Sequence, residues 1–254
     1  TAMGNNTTAS GDYSTAMGIS TIASGDRSIA MGDNTEASGD NSFASGSNTK
    51  ATGNTSTAIG TNTEATGFIN AVAMGSGTVA SGNASTAMGS STVASGTNST
   101  AMGRNSVAEG DYSLAAGYNA FAGGGLMQVG GTIALGYDVE ATGHNSVAMG
   151  NQSRASESQS TAMGFDSHAS GYTSTAMGRS TVASGHSSTA MGYFNQATGD
   201  RSTAMGDNTI ASGDYSTSIG NTTIASGIAS TAMGFDSTAS GETSTAIGNA
   251  TIAS

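Results

Sequence analysis

Large apolar residues recur along this chain at a spacing of fourteen residues, on segments otherwise made of Ser, Thr, Ala, Gly, Asp and Asn. The stretch Ser202–Gly206 reads STAMG, and the stretch Thr209–Gly213 reads TIASG. These two half-repeats alternate, so Gly falls every seven residues over most of the chain, and the fourteen-residue unit occurs about eighteen times. Ala holds the middle of both halves throughout, with Ser218 as the exception.

A seven-residue spacing could suggest a coiled coil, but Gly at every seventh position would cost a helix about 1 kcal/mol each time. Thr, Ser and Val favour strands, and the residues after each Gly tolerate left-handed turns. Each half is therefore interpreted as a strand of about five residues closed by a turn. Two strands and two turns make one coil, so the pattern predicts an all-β parallel β-roll (a β-solenoid) of about 18 coils over residues 1–254.

The alternation of side chains along a strand assigns the two sides of each half-repeat. In STAMG, Ser, Ala and Gly share one side, while Thr and Met share the other. In TxASG, Thr, Ala and Gly share one side, while the variable residue x and Ser share the other. We expect the two small-residue sides to face each other inside a thin coil. The variable position accepts Ile, Glu, Lys, Arg, His and Gln, and we expect it to face water.

The Thr and Met side then forms an apolar stripe along the outside of a thin rod. A continuous exposed stripe is typical of a partner interface, and one stripe per chain suits a cyclic oligomer whose stripes meet on the axis. The alternative, with Met and Thr inside, leaves the strict selection of Ala unexplained. Ser45 and Ala116 break the stripe. The predicted interface residues are Met3, Met17, Met31, Ile59, Met74, Met88, Met102, Leu135, Met149, Met163, Met177, Met191, Met205, Ile219, Met233 and Ile247.

Composition excludes several classes of function. The net charge of −11, from 17 acidic and 6 basic residues, argues against nucleic acid as a partner. The absence of Cys excludes a disulfide scaffold and a thiolate metal site. No apolar run approaches about 18 residues, so we expect no membrane span in this fragment. The chain starts and stops within a repeat and is interpreted as a piece of a longer protein.

Groups that could support catalysis or metal binding are few. The three histidines are not separated by multiples of fourteen, so they are expected to be separate, solvated side chains. Asp12, Asp26 and Asp40 are fourteen apart and could recruit Ca²⁺, although carboxylates of exposed turns are the simpler interpretation. We therefore predict no enzyme, no catalytic or metal site and no cofactor.

Insertions interrupt the repeat at two places. One extra residue enters near 68–70, and five enter around 125–129, while Glu157 replaces an expected Gly. The larger insertion is a binding loop on a rigid scaffold, a tolerated bulge, or an apolar plug that caps or locks the neighbouring protomer, and its composition favours the plug over a free loop. Its candidate residues are Leu126, Met127, Gln128 and Val129.

Aromatic residues concentrate at the predicted turns. They are either adhesive contacts or covers for the ends of neighbouring coils, and the pattern leaves both open. These residues are Tyr13, Tyr112, Phe165, Tyr193, Phe194, Tyr215 and Phe235.

The stretches Asn145–Gly150 (NSVAMG) and Asn105–Gly110 (NSVAEG) resemble the NSVAIG-type motif of YadA-like head repeats in trimeric autotransporter adhesins of Gram-negative bacteria. STAMG replaces that motif in most units, although the resemblance covers nearly the whole chain. It implies a left-handed roll and a homotrimer around one axis. It also implies a place on the bacterial surface, in the extracellular part of an outer-membrane-anchored protein. The partners it implies are host extracellular matrix proteins or cell-surface receptors, with a role in virulence.

Three functions are compared on these grounds. The first is an adhesin head that attaches to host matrix or cells. The alternatives are a purely structural spacer rod and an ice-binding β-solenoid, but neither outer face supplies the paired Thr array that ice binding needs. A solenoid carbohydrate hydrolase or lyase would need clustered acids in a groove, and the charged residues are too scattered for that.

Overall fold

The computed structural model describes residues 1–123 and 130–254, which form two compact units, Thr1–Gly131 and Thr132–Ser254. Within the described residues each unit contains nine coils, and each coil contributes one long and one short strand. The predicted all-β parallel solenoid of about 18 coils is confirmed. Its left-handedness stays a prediction, and so does the single head over residues 1–254.

Strands of the first unit alternate between the two lengths. The long strands are β1 (Ala2–Asn5), β3 (Thr15–Ile19), β5 (Ile29–Asp33), β7 (Phe43–Ser47), β9 (Thr57–Thr61), β11 (Val72–Ser76), β13 (Thr86–Ser90), β15 (Thr100–Arg104) and β17 (Leu114–Tyr118). The short strands are β2 (Thr8–Ala9), β4 (Ile22–Ala23), β6 (Glu36–Ala37), β8 (Lys50–Ala51), β10 (Glu64–Ala65), β12 (Val79–Ala80), β14 (Val93–Ala94), β16 (Val107–Ala108) and β18 (Phe121–Ala122).

The second unit repeats this arrangement. Its long strands are β19 (Ile133–Tyr137), β21 (Val147–Asn151), β23 (Thr161–Phe165), β25 (Thr175–Arg179), β27 (Thr189–Tyr193), β29 (Thr203–Asp207), β31 (Thr217–Asn221), β33 (Thr231–Phe235) and β35 (Thr245–Asn249). Its short strands are β20 (Glu140–Ala141), β22 (Arg154–Ala155), β24 (His168–Ala169), β26 (Val182–Ala183), β28 (Gln196–Ala197), β30 (Ile210–Ala211), β32 (Ile224–Ala225), β34 (Thr238–Ala239) and β36 (Ile252–Ala253).

Long strands pair in parallel with long strands of the adjacent coils, and short strands pair with short strands. The register places equivalent residues side by side, so Ala162 pairs with Ala176 and Met163 pairs with Met177. Each column of equivalent residues therefore runs along the solenoid in steps of about 4.8 Å. A substitution in one coil is felt first by the same position of the coils before and after it.

The second half-repeat forms a shorter strand than the five residues expected. In the coil of Ile22, the N–H groups of Ser24 and Gly25 both donate to the carbonyl of Ala37, at 3.0 and 3.3 Å. Two successive donors that share one acceptor turn the chain out of the ladder. The strand therefore ends after Ala23, and a turn closes with the bond from Ser28 N–H to Gly25 O at 3.2 Å.

The interior is made of the small-residue sides, as predicted. Alanines from the two kinds of strand pack on one another, and Ala225, Ala232 and Ala239 are completely buried. The Ser and Thr residues that precede each strand also point inward, and Ser28 and Thr21 are completely buried. Alanine and hydroxyl side chains leave the two strands of a coil close together, which explains why the repeat selects Ala so strictly.

Backbone carbonyls accept hydrogen bonds from several of the interior hydroxyls. Ser85 Oγ donates to Gly82 O at 2.7 Å, and Ser106 Oγ donates to Gly117 O of the next coil at 3.0 Å. Ser218, the exception in the Ala column, donates from Oγ to Thr223 O at 2.9 Å. The polar substitution is therefore tolerated in the core because a partner lies within reach.

One inward position carries a larger amide. Asn195 is completely buried, and its Nδ2 donates to Met191 O at 2.6 Å and to Gly206 O at 2.7 Å. Its Oδ1 accepts from both the N–H and the hydroxyl of Thr209, each at 2.8 Å. The Asn195 amide therefore links its own coil to the next coil by hydrogen bonds in the interior.

The extra residue near 68–70 is absorbed at a turn. Asn54 N–H donates to Phe68 O at 3.1 Å, and Asn70 N–H donates to Asn54 O at 2.9 Å. The pairing of Val72 with Thr57 is fifteen residues apart, after which the fourteen-residue spacing returns. The insertion therefore lengthens one turn and leaves the ladder intact. The predicted plug at 126–129 lies outside the described residues.

Gly75, in β11, and Gly77, in the turn that follows, have different reasons for lacking a side chain. Gly75 has φ of +130°, and a Cβ there would lie 2.0 Å from the carbonyl oxygen of Gly89 in the next coil. Gly77 has φ of +64°, but a Cβ there would meet Ser91 Oγ at 3.6 Å, an ordinary contact. Ala250 occupies the position equivalent to Gly77 with φ of 53°. Only Gly75 therefore depends on the absence of a side chain.

We expect Gly75→Ala to lower the free energy of unfolding by more than about 3 kcal/mol, because the coils cannot move apart without breaking the ladder. The matched control Gly77→Ala should cost only about 1–2 kcal/mol, the strain of a positive φ without a steric clash. Urea unfolding followed by circular dichroism measures both. Equal losses in the two variants would contradict the close approach of the coils at Gly75.

Candidate assembly face and turn columns

The methionine face, defined as the outward side of the long strands, carries every predicted interface residue from Met3 to Ile247. Its two columns are those of Thr15 and Met17, and equivalent residues pair directly in adjacent coils. Most of these side chains are neither buried nor fully exposed in the single chain, and Met205 is 36% exposed. A long array of half-exposed Met and Ile is the kind of surface that a partner covers.

The two breaks in the Met column are matched by large residues in the neighbouring column. Ser45 stands where Met is usual, and Phe43 stands beside it where Thr is usual. Ala116 stands in the Met column of another coil, and Leu114 stands beside it in place of Thr. The summed side-chain volume of the pair is thus roughly kept in both coils. Cores and interfaces favour such compensation, although other coils place a large residue beside Met, as Ile29 beside Met31.

The aspartates that the sequence offers as a possible calcium site form a column at the turns, where a carboxylate accepts from a backbone N–H of the preceding coil. Asp26 Oδ1 accepts from the N–H of Asp12, and Asp40 Oδ1 accepts from the N–H of Asp26, both at 3.0 Å. The second unit repeats this contact between Asp200 N–H and Asp214 Oδ1, also at 3.0 Å. Within the described residues no group of three or more His, Asp or Glu could hold a metal ion.

A second turn column carries asparagine. Asn34 Nδ2 donates to Asn48 Oδ1 at 2.7 Å, and Asn48 Nδ2 donates to Asn62 Oδ1 at 3.2 Å. All three residues have positive φ, which Asn adopts more readily than most residues. The amide ladder therefore satisfies the side chains that the turn conformation favours.

Turn aromatics stack along the solenoid with arginine rather than standing free. The guanidinium of Arg179 lies 5.5 Å from the ring centroid of Phe165 on one side and 5.4 Å from that of Tyr193 on the other. Arg201 lies 5.1 Å from the ring centroid of Tyr215 and donates to its hydroxyl. These cation–π contacts attach the rings to neighbouring coils, although Phe165, Tyr193 and Tyr215 remain 40–54% exposed.

Other aromatics stay uncovered, so the two interpretations apply to different residues. Tyr13 is 90% exposed and Tyr112 is 70% exposed. The inserted Phe68 is 77% exposed. Sequence reasoning did not find the arginine stacks, although the signal was present, because Arg and aromatic residues occur fourteen apart in the same turn column.

The histidines are surface residues, as expected. His186 stacks on the ring of Tyr172 with centroids 5.2 Å apart, and its Nδ1 lies 3.0 Å from Ser187 Oγ. His168 lies on the outward side of a short strand, with Nε2 at 3.2 Å from Asp166 Oδ1. None of these contacts joins a histidine to a nucleophile and an orienting carboxylate of the kind that hydrolysis uses.

Sequence reasoning also missed a groove on the short-strand face, defined as the outward side of the short strands. In the second unit Arg154 Nη1 lies 3.4 Å from Glu140 Oε2, and His168 follows in the next coil. These side chains border a groove of about 210 Å³. The available signal is the clustering of charge at the variable position, where the repeat predicts only exposure to water.

The YadA head domain repeat matches this chain at residues 1–21, 23–49, 37–63, 51–67, 69–92, 94–120, 141–167, 169–195, 197–223 and 225–251. The chain belongs to this family. The resemblance inferred from its motifs is therefore confirmed. No curated protein matches the chain.

Membership of the YadA head family indicates an adhesin-type function of the trimeric autotransporter kind and a non-enzymatic, structural or adhesive protein. It also indicates a surface-exposed domain of an outer-membrane-anchored protein. Among the described residues of this head, no helix is long and apolar enough to span a membrane.

Proposed function

We propose that this YadA-type head assembles as a homotrimer through its methionine face and attaches bacteria to host extracellular matrix or host cells, as a virulence-associated surface protein. The observation that carries the assembly is the compensation of side-chain volume at Ser45 and Ala116 by Phe43 and Leu114. A face open to solvent would impose no such relation between neighbouring columns.

Assembly would also supply the core that one chain lacks. The interior of the coils is mainly Ala, Gly, Ser and Thr, so most larger apolar side chains lie on the outside of the long and short strands. Full burial of a Met side chain from water contributes roughly 1.5–3 kcal/mol, and assembly would add the remaining part of this burial for the partly exposed Met of most coils. Meeting of three such faces on one axis would bury each Met against its symmetry mates.

The attachment role is supported by family membership and by the geometry of the surface that assembly leaves free. The short-strand face points away from the methionine face, and most charged and aromatic side chains lie on it, in the turns or at the ends of the long strands. Repetition of these surfaces on three chains would multiply weak contacts into stable attachment. A purely structural spacer would need the same core but no binding surface.

Replacing Met177 with Asp should lower the stability of the trimer by about 3 kcal/mol or more, because three carboxylates would meet in an apolar seam without partners. The control Val182→Asp should melt close to the parent, because that outward column already holds Glu, Arg and His. Thermal unfolding by circular dichroism compares the variants.

Sedimentation equilibrium of the parent should give three times 24.5 kDa. A folded monomer, or parent-like melting of Met177→Asp, would overturn the assembly.

The volume relation is tested by restoring the usual pair. Phe43→Thr and Ser45→Met should each destabilise the trimer by more than about 1 kcal/mol, the first by leaving a cavity and the second by overpacking. The double variant should return to within about 0.5 kcal/mol of the parent, because it recreates the Thr and Met pair of other coils. Additive single effects in the unfolding free energy would mean that the two residues do not share one packed site.

Attachment is tested with the soluble trimer on an array of matrix proteins and glycans. We expect retained binding to at least one host component and no retention by DNA or heparin at physiological salt, because the net charge per chain is −11. Binding to no matrix protein, glycan or host cell would leave the spacer as the function of this head.

A further inference from the structure

At the first, outward position of the described short strands, charged and titratable residues occur in only two runs. The first run is Glu36, Lys50 and Glu64, in three successive coils of the first unit. The second run is Glu140, Arg154 and His168, in three successive coils of the second unit. The other short strands carry Thr, Ile, Val, Phe or Gln at this position. Both runs border grooves, of about 270 and 210 Å³ respectively.

The groove of the second unit combines three kinds of surface. Glu140, Arg154 and His168 form one side. The residue that follows each of these short strands adds a hydroxyl to the groove, and these residues are Thr142, Ser156 and Ser170. Val182 adds an apolar surface in the coil that follows His168. The volume lies below the roughly 300–1,000 Å³ of pockets for drug-sized ligands, so the groove suits a single ring.

Arg154 is the group in this groove that can recognise an anion. Its planar guanidinium presents several donors, and one of them lies 3.4 Å from Glu140 Oε2. The two side chains are 62% and 41% exposed, and ion pairs at such exposure contribute little to stability. A ligand carboxylate can therefore take the guanidinium in a bidentate contact without a large loss from the displaced pair.

The remaining groups match a sugar ring. Glu140 and the hydroxyl row can accept from and donate to ring hydroxyls, while Val182 can contact the C–H groups of a ring face. Asp166 holds His168 at 3.2 Å, which keeps the imidazole at the side of the groove. A phosphate or polyanion would find only one guanidinium, on a chain of net charge −11.

We propose that this groove binds a terminal sugar residue that carries one carboxylate, with Arg154 on the carboxylate and Glu140 with the Thr and Ser hydroxyls on the ring hydroxyls. This inference deepens the attachment role proposed above and rests on it. The short-strand face lies opposite the methionine face, so the proposed trimer would present three such grooves.

The groove of the first unit supplies the matched control. Lys50 occupies the same column position as Arg154, but Glu36 and Glu64 stand in the coils on either side of it. One ammonium between two carboxylates leaves a net negative charge in that groove. A lysine also lacks the planar fork of arginine. We therefore expect the first groove not to bind a carboxylated sugar.

The test measures binding of sialyllactose and lactose to the soluble trimer of the full chain by saturation-transfer NMR and calorimetry. The parent should bind sialyllactose and bind lactose at least about tenfold more weakly, since lactose lacks the carboxylate. Arg154→Ala should lose at least about tenfold in affinity for sialyllactose, and Arg154→Lys should lose most of it. Lys50→Ala should bind as the parent does, and all variants should melt as the parent does.

Equal binding of lactose and sialyllactose, unchanged affinity in Arg154→Ala, or no binding of sialyllactose would each overturn the groove as a carboxylate site. Matrix binding by the same trimers separates this result from the attachment role. Retained matrix binding without sialyllactose binding removes the groove proposal and leaves attachment standing. Sialyllactose binding that depends on Arg154, without matrix or cell binding, supports the groove and removes attachment to matrix.

Discussion

Close approach of backbone to backbone is the constraint on which this structure depends. In most described coils a Cβ on the Gly that ends the STAMG half-repeat would lie about 2 Å from a carbonyl oxygen of the next coil, as at Gly75 and Gly178. The strands inside a coil are held together by completely buried alanines. This spacing leaves room for few side chains larger than Thr, among them Val139 and Asn195, so the interior does not contain the apolar mass of an ordinary core. Burial of larger apolar groups must then take place outside the coil, on the methionine face.

The same constraint explains why the methionine face and the short-strand face have different compositions. The long strands place Met and its neighbour outward in a register that repeats in every coil, which favours association with identical faces. The short strands do not take part in that association, and their outward position holds either apolar or charged residues. Charge is nevertheless grouped on it rather than scattered, and the second group borders the groove assigned to a carboxylated sugar.

The turns are limited by backbone conformation, because one residue in nearly every described turn has positive φ. Many of these residues are not Gly, and they include Tyr13, Arg27 and Thr55. Such conformations cost L-residues roughly 1–2 kcal/mol, so the turns need compensation. The columns supply it through Asn amide ladders, Asp caps on backbone N–H groups, and arginine stacked between aromatic rings. Each of these contacts exists only because equivalent positions are about 4.8 Å apart.

The period, the approximate strand positions and the buried side of each strand could be predicted from the repeat alone. A fourteen-residue repeat with Ala at both centres and Gly at the turns favours two small-residue sides that face each other. The end of the second strand after two residues could not be predicted, since it depends on two N–H groups sharing the carbonyl of Ala37. The tertiary structure also decided that Asp26 caps Asp12, that Arg179 lies between two rings, and that Arg154 borders a groove. Those contacts join side chains of different coils, and their geometry depends on the coil spacing and on rotamers that local sequence does not specify.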